Sequence, residues 1–118
     1  MYSGEMSACK LKIIKGSTKR FKFAFEDQAD LSTAQQITLT IKPDVTADDD
    51  EIIIQKEYDE ELSDLANGII CFKFLPEDTR ELEAESYLYD VQITFDSETV
   101  YIPAVGMFII YNNVWFRT

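Results

Sequence analysis

The stretch LEAESYLYDVQI, residues 82–93, sets a short acidic loop against a run in which Tyr87, Tyr89, Val91 and Ile93 alternate with Leu88, Asp90 and Gln92. Successive side chains of an extended strand point to opposite faces, so this spacing lines one face with large apolar groups. The acids before it admit three readings: a carboxylate active site, a metal loop, or a corner where the chain passes between two stacked sheets. The neighbouring sequence decides how much weight each carries.

The same two-residue period recurs along the chain. Cys9, Leu11 and Ile13 alternate with Lys10 and Lys12. Beyond the turn at Lys15-Gly16-Ser17, Phe21, Phe23 and Phe25 alternate with Arg20, Lys22 and Ala24. Ile37, Leu39 and Ile41 follow, and Pro43 stops that strand because it cannot donate to a ladder. Ile52–Lys56 has strand composition. Asn67-Gly68 signals a turn before Ile70, Phe72 and Phe74. Asp96–Thr99 reads as a hairpin loop into Val100–Ile102, and Val105–Tyr111 closes the pattern. Strands at intervals of roughly 8–15 residues point to a sandwich or barrel. Helix is confined to one or two turns, at Pro76–Leu82, where Pro and acids suit a first turn, and at Tyr58–Leu65. No repeat or linker is visible, so residues 1–118 are expected to form a single domain.

The corner reading makes specific assignments. In Greek-key sandwiches a Tyr near the start of a late strand bonds through its hydroxyl to backbone a few residues upstream. Here Leu82 would plug the core, Tyr87 would be the corner, and Tyr89 would stand where antibody domains carry a Cys. A plain inward-facing Tyr87 is the alternative.

Composition narrows the chemistry. The chain has 118 residues, 46% hydrophobic and 13% aromatic, enough for a hydrophobic core without disulfides. Its net charge is −11, so a polyanion gains little from its surface; neither nucleic acid nor an anionic membrane is an expected partner. No apolar run approaches the roughly 20 residues of a spanning helix. The first residues lack the apolar core of a signal peptide, from which cytoplasmic synthesis without Sec export is expected. Residues 1–42 hold seven basic and four acidic groups, whereas residues 44–64 hold ten acidic groups and one Lys.

With no His in the chain, the commonest general base and zinc ligand are missing. DVTADDDE, residues 44–51, is the best calcium candidate, but it lacks EF-hand spacing and reads better as a solvated hairpin tip. A carboxylate hydrolase would draw on Asp78, Glu81, Glu83, Glu85 and Asp90, yet nothing places two of them across a cleft; Asp90, opposite in parity to Tyr89 and Val91, is expected exposed or at a sheet edge. Cys9 and Cys71 face differently and read as free thiols, with no CxxC to suggest zinc. Lys10, Lys12, Lys15, Lys19, Arg20 and Lys22 form a basic stripe whose neighbouring aromatics point inward, which suits a solvated face or a dock for an acidic protein neighbour better than nucleic acid. No catalytic residue, metal or cofactor is expected, and the chain is read as a non-enzyme.

Val105–Tyr111 is apolar on both faces: Val105, Met107, Ile109 and Tyr111 on one, Phe108 and Ile110 on the other. A strand in a two-layer sandwich needs only one apolar face. The surplus must be covered by loops of the same chain or by a partner, and a protein interface drawn from Met107, Phe108, Ile110, Tyr111, Trp115 and Phe116 is the expected outcome.

Three stretches resemble a known family. IIKGSTKRFKFAFEDQADLSTAQQITLTIK (residues 13–42), GIICFKFLPEDTRELEAESYLYDVQITF (68–95) and VGMFIIYNNVW (105–115) are similar, in order, to the Ig-like domains that open baseplate upper proteins and related tail or neck components of phages of Gram-positive bacteria. Ser17 stands where that family has Asp, and its Gly-Pro before Asp30-Leu31 is missing. The resemblance implies an all-β, Ig-like Greek-key β-sandwich of about seven to eight strands. It also implies a virion or prophage structural module that works by docking to other phage structural proteins or to itself as a homo-oligomer. An independent carbohydrate- or protein-binding sandwich is the alternative. Contact between the basic and acidic segments of neighbouring copies would give head-to-tail assembly, whereas pairing of the same charges within one chain would not.

Overall fold

The computed structural model describes residues 7–8, 10–24, 31–43, 51–96 and 99–112. The strands are β1 (Ser7–Ala8), β2 (Leu11–Ile14), β3 (Lys19–Ala24), β4 (Gln36–Lys42), β5 (Ile54–Glu57), β6 (Ile69–Phe74), β7 (Ser86–Asp96) and β8 (Thr99–Tyr111). A single helical turn, α1 (Pro76–Thr79), joins β6 to β7. Gly16 and Gly68 take φ of 77° and 73°, the left-handed turns that precede β3 and β6 and that a side chain would strain.

The larger sheet runs β1-β8-β7-β4-β5, with β2 also paired to β8, and the smaller is the antiparallel pair β3-β6. The chain therefore crosses from the small sheet to the large one after β3, returns for β6 and crosses again for β7. This is the Greek-key arrangement of an Ig-like β-sandwich, with β3 and β6 as strands B and E and β4, β7 and β8 as strands C, F and G. The first strands run parallel to β8, with Leu11 opposite Phe108 and Ile13 opposite Ile110.

Several element bounds differ from the sequence reading. The runs 100–102 and 105–111 are one strand, because a register shift lets β8 continue through Pro103: Ile93 pairs with Tyr101 but Val91 with Ala104. Such a bulge is where a residue without an N–H fits in a ladder. The strand expected at 52–56 begins two residues later, and residues 58–64 form turns rather than helix, followed by a 3₁₀ turn at Leu65–Asn67. Cys9 and Phe25 lie outside the described residues; Cys71 is a buried free thiol.

Aromatic rings tie the two sheets together at two levels. Phe108 of β8 meets Phe74 of β6 at 5.2 Å and Phe21 of β3 at 5.8 Å between centroids. One level along, Phe23 of β3 meets Phe72 at 6.0 Å and Tyr89 of β7 at 6.3 Å. Ile37, Leu39, Ile41, Val91 and Ile93 fill the same core from the large sheet. The Lys19 and Lys56 ammonium groups lie 5.8 Å and 5.7 Å from the Phe21 and Phe74 ring centroids, a cation over each face where the core meets solvent.

At the β6–β7 corner, Tyr87 is buried and its hydroxyl donates to the Glu83 carbonyl at 2.8 Å, the bond that defines a tyrosine corner. Burial first, and then the nearby Glu85 carboxylate, push its phenol above the ordinary value. Leu82 packs half-buried against the core just upstream. Thr79, fully buried at the end of α1, accepts from the Gly16 N–H at 2.9 Å and so fastens the corner to the β2–β3 turn. Asp78 accepts from the Leu75 N–H at 2.7 Å and from Lys56 Nζ at 2.9 Å, which holds the turn against β5. Tyr87→Phe removes the corner bond and keeps the ring, and is expected to lower unfolding free energy by about 1 kcal/mol in urea titration. An unchanged midpoint would mean that solvent replaces the bond at no cost.

Candidate docking face

The outer face of the large sheet follows from strand parity. Phe108 and Ile110 point inward and are buried, so neither belongs to an interface, contrary to the sequence expectation. The β8 backbone pairs with β2 and β7 on either side, and its inward side chains are needed to close the aromatic core. Met107 and Tyr111 do reach solvent, at 37% and 45% exposure, with Val100 and Ile102 exposed farther down the strand. Val105 and Ile109 sit between them, half-buried. Exposed Ile14 lies opposite Tyr111, and half-buried Leu88 lies opposite Met107. The whole outward row of β8 is thus apolar. Trp115 and Phe116, the other residues expected there, lie outside the described residues.

Beside this row the face dips into a groove of about 410 Å³ lined by Thr40, Lys42, Leu88, Asp90, Val105 and Met107 among others. Asp90 is opposite Thr40 of β4 and Val105 of β8. It is therefore in the middle of a sheet, not at an edge, and is half-buried rather than exposed, because β7 pairs on both sides. Parity correctly separated it from Tyr89, but parity does not say which strand is central. Its Oδ1 is buried and accepts no hydrogen bond. Burial pushes the Asp90 carboxyl above the usual carboxylate range; the Lys42 cation and a hydrogen bond from Gln92 draw it partly back. Thr40 Oγ1 already accepts from the Gln55 amide at 3.1 Å.

The sign of Asp90's contribution to stability follows. A carboxyl whose folded pKa is raised opposes folding when ionised, so its penalty is absent below the unfolded value of 3.8 and complete above the folded one. Asp90→Asn is expected to stabilise the protein by up to about 1 kcal/mol at neutral pH, a modest figure because the group is half-exposed and screened. The gain over the parent should vanish as pH falls through the carboxylate range. Melting curves of both proteins from pH 3 to 7 measure it, and a gain that grew on acidification would contradict the assignment.

The other sequence candidates separate in space. Glu81, Glu83 and Glu85 are exposed at the β6–β7 corner, Asp78 is engaged by Lys56, and Asp90 lies on the outer sheet face. Among the described residues no group of three or more His, Cys, Asp or Glu could hold a metal ion. The basic stripe divides: Lys12 projects with Ile14 from the large sheet, whereas Arg20 and Lys22 project from the small one. Asp44–Asp50 lie outside the described residues. Nothing in the sequence pattern singled out the groove, since Leu88, Lys42 and Val105 come from three strands whose neighbours only pairing reveals.

No family model matches the sequence, and no curated protein does. Among solved structures, extracellular domains 3–5 of Drosophila OTK align with 91% of this chain at 12% identity and a TM-score of 0.39. That alignment takes in 34% of the OTK chain, so the protein spans about a third of that structure's length. The Ig-like assignment rests on the strand order and sheet crossings, not on this likeness.

Proposed function

We propose that the protein is a non-enzymatic docking module that works through the outer face of its large sheet, and that it serves as a structural or assembly part of a phage or prophage tail. The observation that carries the docking reading is the apolar outward row of β8, from Val100 to Tyr111, with Ile14 and Leu88 beside it. A sheet face left in water normally alternates with polar residues, and contiguous apolar surface is characteristic of protein contacts. The tail or baseplate assignment rests on the three stretches of sequence similar to that family, two of which supply β3–β4 and β6–β7. In this reading the protein is made in the host cytoplasm and reaches the virion by assembly.

The test pairs Met107→Glu and Tyr111→Glu in one variant, both at solvent-facing positions whose replacement spares the core. Light scattering over a range of concentration and salt, and co-expression with the proteins encoded beside it, should show an oligomer or a stoichiometric complex that the variant loses. A protein that stays monomeric throughout, captures no neighbour and melts higher with an added sugar would overturn the reading in favour of a carbohydrate-binding sandwich.

A further inference from the structure

We infer that the outer edge of β3 takes an added strand from a partner protein, an extended segment in which acidic residues alternate with apolar ones. This surface belongs to the small sheet and lies apart from the docking face of β8, so the two stand or fall separately. In Ig-like sandwiches strand A borders strand B. Here β1 and β2 pair with β8 instead, and among the described residues β6 is the one strand beside β3. The direction of the free backbone groups follows from β6. Cys71 donates its N–H to Ser63 Oγ at 2.8 Å and accepts from the Asp59 N–H at 2.8 Å, both on the side of β6 away from β3. In an antiparallel pair, residues that turn their backbone from the partner alternate with residues bonded to it. Lys22 stands opposite Cys71, so Arg20, Lys22 and Ala24 direct their N–H and C=O groups outward. Among the described residues nothing bonds to these groups. Such a row is a template for a further strand.

The side chains set the chemistry of that strand. Arg20 and Lys22 are exposed on the outer face of the small sheet, and half-buried Lys73 stands opposite Arg20. Like charges directly opposite destabilise a ladder. Neither strand contains an acid, and among the described residues none of the three cations is in an ion pair, in a chain with twice as many acids as bases. Carboxylates at alternate positions of an added strand would sit across from Arg20 and Lys22. The positions between them would extend the inner face beside Phe21 and Phe23, which favours apolar residues there. The chain's own acidic runs do not offer this pattern to a second copy. Asp48–Glu51 are consecutive acids, residues 58–64 are folded in turns, and Glu81–Glu85, which does alternate, is held at the corner by Leu82.

The probe is a short blocked peptide of alternating Glu and Val, titrated into ¹⁵N-labelled protein at neutral pH and low salt. In the free protein the Arg20, Lys22 and Ala24 amides should exchange quickly with solvent, and the Phe21 and Phe23 amides, bonded to β6, slowly. The peptide should shift and protect the first three with about millimolar affinity. Its Gln-Val analogue should bind about three- to tenfold more weakly. The parent peptide should lose as much on the Arg20→Gln and Lys22→Gln double variant, checked for folding by its own spectrum, and nothing on Lys12→Gln, which lies on the other sheet. A peptide N-methylated at alternate residues keeps the charge but cannot extend the ladder, so it should not bind. Slow exchange of the edge amides in the free protein would mean that the chain covers its own edge, and would overturn the inference. So would equal binding of the N-methylated or Gln peptide, or equal shifts from single-stranded DNA. Protection that appears on raising protein concentration alone would do the same, by making a second copy the occupant. None of these results bears on complex formation through Met107 and Tyr111.

Discussion

Phe108→Ala is expected to cost about 3–5 kcal/mol of unfolding free energy, enough to unfold much of the population of a domain of ordinary stability. The ring is fully buried and touches Phe74 at 5.2 Å and Phe21 at 5.8 Å, so it joins β8 to both strands of the small sheet. Truncation loses the transfer of the ring from water and leaves a cavity whose walls are other rings held by their own strands. Those walls cannot collapse without shifting the β3-β6 pair against the large sheet. Urea titration followed by circular dichroism measures the loss. The result also separates two roles for this residue. A Phe108 that served docking would leave stability nearly intact and weaken complex formation, whereas the buried position predicts the reverse. Met107, its neighbour in sequence, should behave oppositely, because its side chain faces water.

The second large effect lies at the other aromatic level. Antibody domains bridge strands B and F with a disulfide; here Phe23 of β3 and Tyr89 of β7 face each other at 6.3 Å in the corresponding strands. Tyr89→Ala is expected to destabilise by about 3–4 kcal/mol and Phe23→Ala by a similar amount, through loss of buried area and the cavities left. The double variant should cost less than the sum, with a coupling of about 0.5–1.5 kcal/mol from the ring pair itself. Additive losses would show that the two rings stabilise the core through other neighbours, Phe72 among them, and that the inter-sheet contact contributes nothing of its own. The pairing also gives a physical reason why an Ig-like fold stands here without a cystine across its sheets. Two large rings bury more surface than two sulfurs, and they need no oxidising compartment.

Which residues point inward was legible in the sequence, and so was the corner. A period of two is imposed by the backbone itself, and Phe21, Phe23, Ile37, Leu39, Tyr87, Tyr89 and Val91 all lie on the buried side that it predicts. Gly16 and Gly68 mark turns for an equally local reason, since left-handed backbone favours a residue without Cβ. The tertiary structure alone decided which strands are neighbours. Hydrogen-bond partners are chosen across long stretches of chain, so nothing local could say that β7 is central, that β8 continues through Pro103, or that Lys42, Asp90 and Val105 share one groove. Parity divides Val105–Tyr111 into two faces without saying which is in and which is out. Only the placement of β3-β6 against one side of the large sheet buried Phe108 and Ile110 and left Met107 and Tyr111 in water.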